Sequence, residues 1–306
     1  IPVQWQAQQW PDRPVRILVP FPPGGGTDIQ ARVISTAFQK SMGQNFIIEN
    51  RTGANGLIAT QLAVDAPPDG NTILFTSGSI SVVATLNAKQ MKFNVHTDLQ
   101  PISWISSTPL VLSLHPSVPA KSVKELVAIV KRAAKPLNAG GNTAGSTAHL
   151  TAEMFNQTVG AKSTVVTYRG GGPAVIALIS GEIDYIFATA PSIMPHVKSG
   201  RARPLAVTTP KRSSAFPDLP TMSSMYPGFE SDNWYAMFYG KGTPRPIVDK
   251  MNAEIKKALA TVEMKNFMPR EALDPVASSP EELSALLKRE IEKYAKVIRL
   301  AGIKVE

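Results

Sequence analysis

The chain contains no cysteine, which removes disulfides, thiolate metal ligands and cysteine nucleophiles from its chemistry. Histidine is nearly as scarce: His96, His115, His149 and His196 stand far apart without ligand spacing, so no metal site is expected. No Gly-x-Ser-x-Gly elbow occurs, and no catalytic residues are assigned. Nor is there any run near the ~18 consecutive apolar residues that a membrane-spanning helix needs. Charge is limited to 18% of residues while 43% are hydrophobic, a balance that builds cores and does not suit a disordered chain.

One sign of charge is in excess. The formal net charge is +9, which raises the question of nucleic acid, but that partner requires Lys and Arg gathered on one face. Here they are scattered, and the richest stretch, Lys288 to Arg299, interleaves Glu290 and Glu292 as a solvated helix face does. Nucleic acid is therefore not an expected partner, whereas a general attraction for anions is. The Gln-rich opening, Ile1 to Gln9, has no helical apolar face and reads as the tail of a removed export signal or an appended remnant.

At 306 residues two lobes are the natural division. Strand and helix signals alternate at short spacing, the pattern of α/β folds with largely parallel sheets. Val15 to Phe21 predicts a strand; Pro22 to Asp28 follows as a tight loop; Ile29, Val33, Ile34, Ala37, Phe38 and Met42 then recur at helical spacing. Asn45 to Glu49, Leu57 to Asp65 and Thr72 to Thr76 predict strand, helix and strand. The same logic returns from Leu110 to Leu114, with a helix over Ser122 to Ala134, a short strand at Leu137 to Ala139 and a loop from Gly140 to Thr147. Further alternation runs to Thr208, and Pro210 to Asp232 reads as a long connection. The last helix, Pro280 to Ala301, has Ser279 and Glu282 as a capping box. With these C-terminal helices packed back on the first lobe, lobe one is 1–107 plus 231–306 and lobe two is 108–230.

Glycine loops entering helices begin at Gly24, Gly140 and Gly170. A helix start presents unpaired N–H groups and partial positive charge, so each loop can hold a carboxylate or phosphate, or can serve turn geometry alone. None matches a nucleotide fingerprint. Asp28 reads either as a first-turn residue paired with Arg32 or as a group that meets a ligand amine or hydroxyl. Arg169 is either solvated or a charged fork for a carboxylate, and His149 opens a helix directly after Gly145-Ser146-Thr147. Trp234 and Tyr235 fit an aromatic core strand or one wall of a pocket.

Taken in order, Trp10-Pro11-Asp12-Arg13-Pro14-Val15-Arg16, Val19 to Asp28, Glu49 to Ala54, Ala66-Pro67-Pro68-Asp69-Gly70, Tyr168-Arg169-Gly170, Gly181 to Asp184, Arg201 to Thr208 and Gly242-Thr243-Pro244 resemble the Bug-type, TctC-like receptors of tripartite tricarboxylate transporters. Asn71, Thr76 to Ile80 and Lys241 depart from that pattern. The resemblance implies a two-lobed type II periplasmic-binding-protein fold, with mixed sheets flanked by helices and a ligand cleft between lobes. It implies a periplasmic, monomeric receptor without cofactor, which captures a small organic acid and delivers it to membrane permease subunits. The implied ligand residues are Phe21, Gly25, Gly26, Thr27 and Asp28 in the first loop; Thr143, Ala144, Gly145, Ser146 and His149 in the second; and Ser77, Gly78, Ser79, Tyr168, Arg169 and Ala188 beside them. An enzyme acting on an anionic metabolite, with His149 and Asp28 as acid and base, and a sensor of such an anion are the competing readings.

Overall fold

The computed structural model describes residues 10–24, 26–53, 56–86, 91–213 and 215–303. In chain order the first elements are β1 (Val15–Val19), α1 (Gly26–Met42), β2 (Phe46–Asn50), α2 (Leu57–Val64), β3 (Thr72–Ser77), α3 (Ser79–Leu86) and β4 (Leu99–Leu114). Then come α4 (Val123–Arg132), β5 (Asn138–Gly141), α5 (Thr147–Val159), β6 (Thr164–Thr167), α6 (Gly171–Ser180), β7 (Tyr185–Thr189), α7 (Ala190–Lys198) and β8 (Arg203–Val207). The remainder is α8 (Met222–Met225), β9 (Asp232–Gly240), α9 (Arg245–Leu259), α10 (Val262–Arg270), β10 (Asp274–Pro275) and α11 (Pro280–Ala301).

These elements form two compact units. The first takes the described residues up to Ser107, with Trp234–Met268 and Asp274–Lys293; the second takes Thr108–Asn233, Pro269–Leu273 and the described residues from Tyr294 onward. From sequence, all of 231–306 is assigned to the first unit, and the division differs there. Two hydrogen bonds account for the end of α11: the Tyr294 hydroxyl lies 3.3 Å from Ser231 Oγ, and Gln157 Nε2 donates to the Val297 carbonyl at 3.1 Å.

In the first unit β1 sits between β2 and β3, parallel to both, and β9 runs antiparallel beside β3. Apart from Arg16, β1 is wholly apolar and its residues are buried, as expected where helices cover both faces of a sheet. Leu18 and Leu74 meet Ala59 and Ala63 of α2, Trp234 and Phe238 of β9, and Leu283, Leu286 and Leu287 of α11 in one cluster. On the other face Phe38 of α1 packs against Phe46 of β2, ring centroids 5.1 Å apart.

The second unit repeats the plan. β5 is parallel to β6 and to β7, and the later half of β4 is antiparallel to β7 and β8. Phe155 of α5 lies edge-on to Tyr185 at 5.7 Å and tilted against Phe187 at 5.6 Å, which fixes α5 on β7 through aromatic contact.

Sequence pattern reads β4 as Leu110 to Leu114 alone, yet the strand begins at Leu99. Its first half carries Ser103, Ser106 and Ser107, buried polar residues that break an apolar pattern. Partners distant in sequence hold two of them: Ser103 Oγ donates to the Ser278 carbonyl at 2.9 Å, and Ser106 Oγ accepts from Gln30 Nε2 at 2.6 Å. α3 and α10 are likewise absent from the sequence pattern. The capping box of α11 forms as expected, with Ser279 N–H to Glu282 Oε2 at 2.7 Å and Glu282 N–H to Ser279 Oγ at 3.1 Å. Among the described residues no helix is long and apolar enough to cross a membrane.

Candidate functional site

The loop that leaves β1 is held by α1 and β2. Gly24 adopts the left-handed region at φ 81°, which favours glycine because it lacks Cβ, and its N–H donates to Asp28 Oδ2 at 2.9 Å. Arg32 Nε reaches the same oxygen at 2.9 Å, while Asp28 Oδ1 takes Asn50 Nδ2 and Arg32 Nη2, each at 2.9 Å. Asn50 Nδ2 also donates to the carbonyl of Phe21 at 2.9 Å. Burial acts to raise the Asp28 pKa, but the hydrogen bonds from Arg32, Gly24 and Asn50 outweigh it and hold the carboxyl below its ordinary range. Thr27 is buried and Gly26 exposed; a Cβ on Gly26 would lie 2.9 Å from the Tyr235 hydroxyl oxygen. Gly25 lies outside the described residues.

In the second unit Gly140 and Gly141 belong to β5 and not to the loop expected there. Their missing side chains make room for neighbours: a Cβ on Gly140 would stand 2.3 Å from Ile183 Cδ1, and one on Gly141 would stand 3.2 Å from His149 Cα. Close approach of α5 to β5 therefore depends on glycine. The loop proper ends in Gly145, at φ 75°, and in Ser146, the N-cap, whose Oγ accepts from His149 N–H at 3.2 Å. The first i to i−4 bond of α5 runs from Leu150 N–H to the Ser146 carbonyl at 3.0 Å, so the N–H groups of Thr147 and Ala148 have no helical carbonyl to reach.

His149 is 8% exposed, and its Nδ1 accepts from Gly145 N–H at 3.0 Å. Its Nε2 is 4.0 Å from Glu153 Oε1. Burial pushes the imidazole below its ordinary pKa and the Glu153 carboxyl above its own.

The other expected residues divide by surroundings. Ser77 and Ser79 are buried with their Oγ atoms 3.0 Å apart, and Gly78 N–H donates to the Trp234 carbonyl at 2.8 Å. The Tyr168 hydroxyl donates to Glu182 Oε1 at 2.8 Å, and burial together with that bond raises its pKa to about 12. Arg169, Thr143 and Ala144 are exposed. Ala188 is buried in the apolar cluster of the second unit. Sequence reasoning passed over two residues. Asn50 ties β2 to the first loop, and Thr147 is buried with its Oγ1 unpaired among the described residues. Only the position of Thr147 directly after an N-cap hinted at it; nothing local marked Asn50. No group of three His, Cys, Asp or Glu able to hold a metal occurs among the described residues.

A profile of the tripartite tricarboxylate transporter family receptor, TctC, matches residues 30–303. The chain belongs to this receptor family. It is 34% identical to Protein BugT of Bordetella pertussis over 302 residues, covering 98% of this chain and 93% of that protein. Among solved structures, R. palustris Rpa4515 with adipate is 32% identical, with a TM-score of 0.88 over 96% of this chain and 99% of that one. MatC from Rhodopseudomonas palustris with bound malate is 28% identical, with a TM-score of 0.83 over 94% and 100%. The fold of this TctC receptor is accordingly the two-lobed α/β fold of periplasmic binding proteins, and the resemblance drawn from its motifs holds.

Receptors, not enzymes, make up these relatives. The geometry agrees with that. Both oxygens of Asp28 are occupied by the protein's own donors, and His149 Nδ1 is spent on Gly145, so neither offers the free lone pair a general base requires.

Proposed function

We propose that this TctC receptor works outside the cytoplasmic membrane, where it captures a small organic acid with two or three carboxylates and delivers it to the permease subunits of a tripartite transporter. The observation that carries this reading is the pair of strand–glycine loop–helix turns, one ending β1 and one ending β5, each fixed by a left-handed glycine. A helix start aimed beyond the carboxyl end of a parallel strand offers backbone N–H groups and dipole charge to an anion. Gly26 and Thr27, and Gly145, Ser146 and Thr147, are the proposed grip, and Gly25, Thr143, Ala144, Ser77, Gly78 and Ser79 are proposed as further ligand residues. Adipate and malate in the two solved relatives are both dicarboxylates, and the net charge of +9 favours anionic ligands generally.

A thermal-shift and calorimetric screen of the purified protein tests this against a panel of C4 to C8 dicarboxylates, citrate, amino acids and aromatic acids. At a ligand concentration 100-fold above Kd, binding stabilises the folded state by ~2.7 kcal/mol. At least one carboxylate is expected to raise the unfolding temperature while the matching amide or alcohol does not. Uniform silence across the acids overturns the reading.

A further inference from the structure

The two loops share a device that the third lacks. In each, a glycine with positive φ donates its N–H to the side chain four residues later, inside the first turn of the helix: Gly24 to Asp28 at 2.9 Å and Gly145 to His149 at 3.0 Å. Both acceptors are buried, at 2% and 8% exposure. The loop at Gly170 also has positive φ, 120°, but it makes no side-chain cap bond and the residue four later is Ala174. Glycine is the residue whose backbone is most costly to order, so a binding loop built on one stays open to many conformations unless something fixes it.

We propose that His149 is a positioning residue for ligand capture, holding the Gly145 loop in its binding conformation through a neutral Nδ1, as the Asp28 carboxylate holds the Gly24 loop. This inference rests on the reading of Gly145 to Thr147 as ligand grip. It assigns His149 no contact with the ligand: the nitrogen that faces the loop is already filled by Gly145 N–H, and the other faces Glu153, 4.0 Å away on the same helix. The imidazole must be the Nε2–H tautomer, because a proton on Nδ1 would set two donors against each other. Fixing the loop before the ligand arrives moves its ordering cost from binding to folding, which is how preorganisation raises affinity.

Asn and Gln variants separate position from polarity. Asn Oδ1 occupies nearly the place of His Nδ1, whereas Gln Oε1 lies one bond further out. With the dicarboxylate identified in the screen, His149→Gln is expected to bind about tenfold or more weakly, and His149→Asn to recover most of that loss. Thermal unfolding of both variants keeps each measurement below its transition. In wild type, long-range ¹H–¹⁵N correlation should show an unprotonated Nδ1, and the Gly145 amide should exchange slowly until His149→Gln exposes it. Wild-type affinity in His149→Gln, equal losses in both variants, or an Nδ1–H tautomer would each overturn the proposal. Should no acid bind wild type, the receptor reading fails on its own, while the tautomer and the Gly145 amide still decide whether the lock exists.

Discussion

Asn50 and Asp28, 22 residues apart, are joined by a 2.9 Å hydrogen bond from Nδ2 to Oδ1, and the same amide nitrogen donates to the carbonyl of Phe21. One side chain on β2 thus fixes both ends of the glycine loop that leaves β1. The carboxylate between them is a structural centre: it gathers the loop, the helix and the neighbouring strand.

Asp28→Asn should therefore damage the loop without altering any group proposed to meet the ligand. Arg32 loses its charged partner, and Asn can satisfy only part of the set of Gly24, Asn50 and Arg32 donors. A loss of about 1–3 kcal/mol is expected for a buried group left partly unpaired. Urea unfolding measures it, and calorimetry should show weaker ligand binding in parallel. Unchanged stability would mean that the carboxylate does not anchor the loop.

Gly145→Ala tests the second loop through its backbone. The residue sits at φ 75°, where an L side chain costs roughly 1–2 kcal/mol. Stability should fall by about that amount and affinity should fall with it, since the variant can relieve strain only by moving the grip. Unfolding curves with and without ligand separate the two effects.

Gly240→Ala provides the opposite outcome, a loss of stability alone. Its Cβ would stand 2.6 Å from the Ala63 carbonyl oxygen and 3.3 Å from that of Val64. Backbone cannot step aside as the tip of a side chain can, so overpacking of about 1–3 kcal/mol is expected. Ligand affinity measured well below the lowered unfolding temperature should stay within about twofold of wild type.

Acid should weaken the first unit in a defined window. Arg16 binds Glu49 through Nε at 2.6 Å and Nη2 at 3.0 Å, and Arg51 adds a contact at 3.0 Å. The Arg16 hydrogen bond, working against burial and helped by Arg51, lowers the Glu49 pKa to about 2; that of Asp28 is also depressed. A depressed carboxylate stabilises fully above its unfolded pKa, near 4, and the contribution is lost as pH falls through the folded value. Stability should decline from about pH 4.5 toward pH 2, and Glu49→Gln should flatten part of that slope. Identical slopes in wild type and variant between pH 5 and 2 would contradict the assignment.

Much of this was legible in the sequence where local rules agree. A compact apolar run located β1, helical spacing located α1 and α5, the capping box located the start of α11, and the order of motifs along the chain led to the receptor family. What stayed hidden depends on partners distant in sequence. The first half of β4 gave no strand pattern because its buried serines find their hydrogen bonds far along the chain, Ser103 on Ser278 and Ser106 on Gln30. Gly140 and Gly141 looked like loop residues, and only the nearness of Ile183 and His149 shows them to be strand glycines. Asn50 carried no signal of its own, since its role exists only once β2 lies beside β1.

α11 contributes Leu283, Leu286 and Leu287 to the first unit's core and then passes at Lys293 and Tyr294 into the second, where Tyr294, Val297 and Ile298 are buried. Neither unit is a single contiguous segment of the chain: each is interrupted by stretches that belong to the other. Each core therefore waits for α11 before it can close, whatever order the earlier elements form in.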